Sequence, residues 1–139
     1  MTEAWRWIPA HLAISWHARL IDRFGGAPGI LDPGLLESAL ARPANLVAYG
    51  ENVTAEKLAA LYGVGVAKAH AFVDGNKRVA FAVMVAFLKV HGRHLDATEA
   101  NATRMFLDIA AGSAGEVQLE AWIVAHVRTA ANDDQSDTR

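Results

Sequence analysis

Apolar residues along the chain recur mostly at helical spacing. Ile8, Leu12, Trp16, Leu20 and Phe24 follow at steps of four, which predicts a first helix over residues 9–24 with these five on its inner face. Gly25-Gly26 ends it. Asp32 is a natural N-cap with Pro33 at the first helical position, so "ILDPGLLESALARP" predicts a second helix that stops before Pro43. Residues 44–53, "ANLVAYGENV", show no helical period and predict a loop or a short extended flap. Thr54 predicts the cap of a third helix running to about Ala69, with Glu56 in its first turn, where acid is favoured. Gly63 and Gly65 within it cost about 1 kcal/mol each against Ala and predict close helix–helix approach.

The segment Val79–Leu88, "VAFAVMVAFL", carries no polar side chain. It predicts a fourth helix from near Gly75 to Gly92, apolar all round and so at the centre of the others. At ten residues it is too short to span a bilayer, which needs about 20. "RHLDA" predicts a short extended piece that pairs weakly with "EVQ". Thr98 predicts the cap of a fifth helix. A last helix places Leu119, Trp122, Ile123 and Val127 on one side. The fold class expected is all-α: about six helices in one domain over residues 1–130, with a polar, disordered tail at 131–139.

Composition narrows the function classes. The chain is 53% hydrophobic, enough for a sizeable core. Net charge is −2, no basic stripe is visible, and a duplex nucleic acid is a poor partner for it. With no cysteine there is no disulfide framework and no thiolate metal site. The start, "MTEAWRWIPAHL", lacks the basic and long apolar regions of a signal peptide, and a cytoplasmic location is expected. His91 and His94 have no carboxylate pattern to complete a zinc site. His11 and His17 read as packing or surface residues, and the four tryptophans as core or interface.

One stretch concentrates chemistry at the mouth of the apolar segment: residues 70–78, "HAFVDGNKR". A helix N-terminus exposes free N–H groups and partial positive charge, so Lys77 and Arg78 in the first turn are unfavourable unless an anion binds there. Gly75 allows close backbone approach, and the amides of Gly75, Asn76 and Lys77 could cradle phosphate oxygens. Lys77 adds a point charge and Arg78 a bidentate fork. Asp74 is a hard oxygen ligand suited to Mg²⁺, with Asn76 a possible second. His70, across a four-residue turn, could take a proton from a hydroxyl, and Phe72 would pin the loop in the core. A base, a metal ligand, an anion cradle and two cations are the parts of a phosphoryl-transfer site. As a base His70 must be neutral, so activity is expected to fall on acidification.

"HAFVDGNKR" resembles the signature of the Fic/Doc family, His-x-Phe-x-(Asp/Glu/Asn)-(Gly/Ala)-Asn-(Gly/Lys)-Arg, and its Lys before Arg is similar to the Doc branch, the "death on curing" toxins. "RFGGAPGILDPGLLESALARP" and "FLKVHG" resemble further segments of that branch in the same order, so the likeness spans roughly residues 10–125. The resemblance implies a six-helix toxin of a toxin–antitoxin pair. It implies a kinase that moves the γ-phosphate of ATP to a hydroxyl of elongation factor Tu. AMP transfer, usual among Fic relatives, is the alternative, and a catalytically lapsed anion-binding module is another. Carried over, His70 is the general base, Asp74 the Mg²⁺ ligand with Asn76 close by, and Lys77 and Arg78 bind phosphates, with Lys68 adding a contact. Where AMP-transferring relatives have Gly, Lys77 fills the space and implies the reversed nucleotide pose. The "NLVAY" flap, with Tyr49, would align the target. Ala71, Val79 and Leu31 depart from common family residues, and the last weakens a nucleotide role for residues 25–32. The chain lacks the family's internal inhibitory pattern, Ser/Thr-x-x-x-Glu-Gly/Asn. A separate antitoxin is therefore implied, docking a helix in a groove lined by residues such as Trp16 and Leu36.

Overall fold

The computed structural model describes residues 4–50 and 52–129. Its elements run α1 Ala10–Phe24, α2 Pro33–Ala48, α3 Ala55–Ala69, α4 Asn76–Val90, β1 Arg93–Leu95, α5 Glu99–Ala111, α6 Glu116–His126 and β2 Val127–Thr129. The expected tail at 131–139 lies outside the described residues.

Three helices begin where capping side chains stand. The Asp32 carboxylate accepts from Leu35 N–H at 3.2 Å, Thr54 Oγ1 from Lys57 N–H at 3.1 Å and Thr98 Oγ1 from Asn101 N–H at 3.1 Å. The second helix departs from expectation at its other end. Pro43 is buried inside α2, which continues to Ala48, so the flap expected over 44–53 is helical in its first half. An interior proline forfeits its bond to the carbonyl four residues back, here that of Ala39. That carbonyl lies where α3 approaches closely at Gly65. Burial of the ring and of Leu36, Ala39 and Leu40 on one face keeps the helix together across the break.

The centre of the bundle is α3 rather than α4. Ten of its fifteen residues are buried, against six in α4, and it packs on α2, α4, α5 and α6. Small residues make this possible. A Cβ at Gly63 would stand 2.7 Å from Leu119 Cδ2 and 3.3 Å from Met84 Sδ, whereas one at Gly65 would make ordinary contacts of 3.6 Å with Ala39. Gly63→Ala should therefore be destabilising by about 1 kcal/mol, overpacking outweighing the helix-propensity gain. Gly65→Ala should be stabilising by about 0.5–1 kcal/mol. Urea denaturation of the two variants reads the contrast, and equal shifts would contradict it.

The extended pieces also pair differently. "EVQ" forms the first turn of α6, where Gln118 Oε1 accepts from Gly115 N–H at 2.8 Å and so starts the helix. β1 pairs instead with β2, antiparallel, from Arg93 opposite Thr129 to Leu95 opposite Val127. Near the N-terminus, Trp5 and Trp7 stack on Phe87 of α4, with Trp7 and Phe87 rings 5.9 Å apart. Tyr62 of α3, its phenol pushed up by burial, accepts from Ile8 N–H. Among the described residues no helix is long and apolar enough to cross a membrane.

On α1 the buried residues are Ala13, His17 and Ile21. Trp16 and Leu20 flank them, partly buried, and Phe24 is 56% exposed. The inner face is thus turned by one residue from the one the apolar spacing predicts, because a histidine takes a core position.

Candidate functional site

α3 ends at Ala69, and His70 caps it in the left-handed region, with φ 51° and ψ 42°. No other non-glycine residue among those described has positive φ. Such conformations persist where surrounding structure over-determines them, and they gather at functional sites. The determinants here are visible. Ala71 carbonyl accepts from Leu31 N–H at 2.6 Å and from Asp32 N–H at 3.1 Å, Gly29 carbonyl accepts from Val73 N–H at 3.1 Å, and Ile30 forms an isolated antiparallel bridge with Phe72. The strand-like partner of the motif is therefore the segment 27–32, which precedes α2. The "NLVAY" stretch, expected as the flap that aligns a target, is helical through Ala48. Tyr49 stands at the far end of α2, 83% exposed.

Side chains lock the same turn from within. Phe72 is 2% exposed and stacks on His17 with ring centres 3.8 Å apart. Asn76 spends its side chain on Phe72: its Oδ1 accepts from Phe72 N–H at 3.1 Å, and its Nδ2 donates to Phe72 carbonyl at 3.0 Å. What Asn76 offers a ligand is its main-chain N–H. Gly75, at φ 76°, then turns the chain into α4, whose N-terminus has no side-chain cap and no acid in its first turn. The Gly75 N–H is engaged by Asp74 Oδ1 at 2.8 Å, while Asp74 Oδ2 accepts from Ala27 N–H at 3.2 Å. A Cβ at Gly26, itself at φ 117°, would lie 2.7 Å from that oxygen, so only glycine lets the chain pass there.

These elements enclose an open cavity of about 400 Å³. The end of α1 supplies Phe24, Gly25 and Gly26, α3 and its cap supply Ala67 and His70, residues 73–78 supply the motif, and α5 closes one side with Ala110. His70, Asp74, Gly75, Asn76, Lys77 and Arg78 all line it. Lys68 does not, since one helical step from Ala67 turns it to another side. Arg78 Nη1 donates to Gly25 carbonyl at 3.1 Å and lies over the Phe24 ring, centre 5.3 Å away, with Arg23 at 5.4 Å from the same ring. Phe24, Gly25 and Gly26 as walls, and Ala27 as a tether, were not legible as site residues. The Gly-Gly pair was the only local signal, and it also reads as a helix stop.

The Asp74 carboxyl is held below its ordinary value, first by the Gly75 N–H and then by the Ala27 N–H, against an opposing desolvation, with lesser attractions from Arg78 and Lys77. A depressed folded value means that the carboxylate's contribution is fully present above about pH 4 and is lost as pH falls below that through the folded value. The Ala27 and Gly75 amide resonances should therefore show a step on acidification below about pH 4, and that step should be absent in Asp74→Asn. A step below about pH 4 that survives in Asp74→Asn would contradict the tie.

Among the described residues no three His, Asp or Glu side chains gather to hold a metal by themselves. A lone carboxylate beside an anion cradle fits the way Mg²⁺ is usually bound, through one or two carboxylates, waters and substrate phosphates. Asp74 is the residue that would hold it, and Mg²⁺ would supply charge neutralisation at the phosphates.

The arrangement combines an exposed imidazole, a depressed carboxylate, two cations and an uncapped helix N-terminus around one cleft, which suits chemistry on a polyphosphate. Over 79 residues the chain is 39% identical to "Protein kinase doc" of Escherichia phage P1, a segment that is 57% of this chain and 63% of that one. Over 77 residues it is 44% identical to "Toxin Doc" of Mycolicibacterium smegmatis, 53% of this chain and 58% of that one. The chain thus matches less than two thirds of the length of either relative. The model of the Fic/DOC family matches residues 7–88, a span that includes α1 to α4 up to Leu88, the 27–32 segment and the whole motif, and on this ground the chain belongs to the Fic/DOC family.

Proposed function

We propose that this protein is a Doc-type toxin. It moves the γ-phosphoryl group of ATP, bound with Mg²⁺, to a hydroxyl of a protein target, with elongation factor Tu the expected one. The observation that carries the proposal is the convergence of His70, Asp74, Lys77 and Arg78 on one cavity at the N-terminus of α4. The kinase named among its relatives supports the choice of phosphoryl transfer, and so does the Lys77 side chain where AMP-transferring relatives carry glycine. In this reading the cavity walls orient the polyphosphate and the α4 N–H groups, Lys77 and Arg78 bind its oxygens. His70 takes the proton of the target hydroxyl, whose oxygen attacks the γ-phosphorus. The bond from the γ-phosphorus to the bridging oxygen breaks and ADP leaves.

Incubation with γ-labelled and α-labelled ATP and a cytoplasmic extract tests this. γ-label on a protein is the expected result, and α-label alone would replace it with AMP transfer. Neither label, together with no growth arrest on expression, would overturn the enzyme reading. The proposal places the protein in the cytoplasm with a cognate antitoxin that rescues growth on co-expression. Leu36 is fully buried and cannot line a docking groove. The exposed large apolar side chains on the first two helices are Ile14, Phe24 and Leu35, with Trp16 partly buried.

A further inference from the structure

Apart from the Tyr62 phenol, His17 is the one polar or charged side chain buried among the described residues, at 4% exposure. It does not line the cavity. Its ring lies against Phe72, planes 15° apart, and its Nε2 is 2.7 Å from the carbonyl oxygen of Asp74. A carbonyl oxygen only accepts, so Nε2 carries the proton. We propose that His17 is a positioning residue: its hydrogen bond fixes the Asp74–Gly75 peptide so that the carbonyl faces the core and the Gly75 N–H faces the anion site.

In a planar trans peptide the C=O and the N–H point in opposite directions. With the Asp74 carbonyl drawn inward to His17, the Gly75 N–H must point away from the core, and it does so toward the exposed Asp74 carboxylate at the cavity wall. Glycine itself does not choose this orientation, because it populates positive and negative φ about equally. A turned peptide would aim a carbonyl oxygen at an incoming phosphate and strip the buried imidazole of its acceptor. The bond from Gly75 N–H to Asp74 also favours the observed orientation, but it lies on the ligand side, where an anion or cation competes for it. The His17 bond lies behind the loop, out of reach of ligand. Contact is close on this side: a Cβ at Gly75 would stand 3.5 Å from His17 Nε2 and 3.2 Å from Ile21 Cδ1. This inference rests on the reading of the cavity as an anion site.

Two substitutions separate the donor from the bulk. In His17→Gln the amide nitrogen is as many bonds from Cα as Nε2, so the donor is retained, whereas His17→Leu keeps apolar volume without a donor. Titration calorimetry with tripolyphosphate and with Mg·ATP, thermal melting, and a crystal structure of each variant form the experiment. His17→Gln should bind within about threefold of the parent, and His17→Leu about 10- to 100-fold more weakly. In the crystal of His17→Leu the 74–75 peptide should be turned. If His17→Leu does not fold, His17→Asn, whose amide is too short to reach the carbonyl, takes its place with the same expectation. Equal loss in the Gln and Leu variants would assign the effect to packing and overturn the proposal, as would an unturned peptide in His17→Leu. Should the parent bind neither ligand, the anion-site reading fails, and the peptide orientation in the crystals still decides the role of His17.

Discussion

Replacing His70 by asparagine is expected to lower phosphoryl transfer by about 10²–10⁴-fold, the range lost with a general base, while nucleotide affinity stays within a factor of a few. Asparagine is the informative substitution because His70 holds a left-handed backbone conformation, which asparagine tolerates better than alanine. The variant thus removes the imidazole without straining the turn that carries Asp74 to Arg78. Single-turnover transfer of γ-label and calorimetric binding, measured side by side, check it. Unchanged transfer would show that the hydroxyl needs no base at this position, and His70 would lose its assigned role. Loss of binding together with transfer would instead make His70 a ligand contact. A protein whose toxicity survives His70→Asn but not Arg78→Ala would be acting by binding.

The second large effect falls on stability. Phe72→Ala should cost about 3–5 kcal/mol, as for other fully buried aromatic rings. The ring touches His17, while the Phe72 backbone is held by the Asn76 amide and bridged to Ile30. Its removal should therefore loosen the whole turn and weaken nucleotide binding in the fraction that remains folded. Urea denaturation gives the first quantity and calorimetry the second. A loss below about 1 kcal/mol with full binding would mean that the turn is held by its backbone bonds alone.

Much of the helix plan is local and therefore legible along the chain. Asp32, Thr54 and Thr98 cap helices because their oxygens reach an N–H three residues on, a relation that needs no distant partner. The motif is legible for the same reason, since His70, Asp74, Asn76, Lys77 and Arg78 lie within nine residues and share one turn and one helix start. Where the structure departs from the local pattern, a distant contact outweighs a local preference. Pro43 is a helix breaker by its own chemistry, yet burial on one face of α2 carries the helix through it. "RHL" needed a partner, and the choice between "EVQ" and 127–129 depended on where α6 began.

Which atoms could do chemistry on a phosphate is written in the chain, because acid, base and cation are properties of side chains and their spacing is covalent. How they are held and which of them share a cavity depends on packing. The segment 27–32 became the strand-like partner of the motif, Gly25 and Gly26 became its wall, and Lys68 was turned away from it. His17 passed from an ordinary polar residue on a helix to the buried donor behind Asp74. These outcomes join residues some 40 to 60 positions apart, and packing sets such distances through the whole core at once, so no local pattern of apolar and polar residues encodes them.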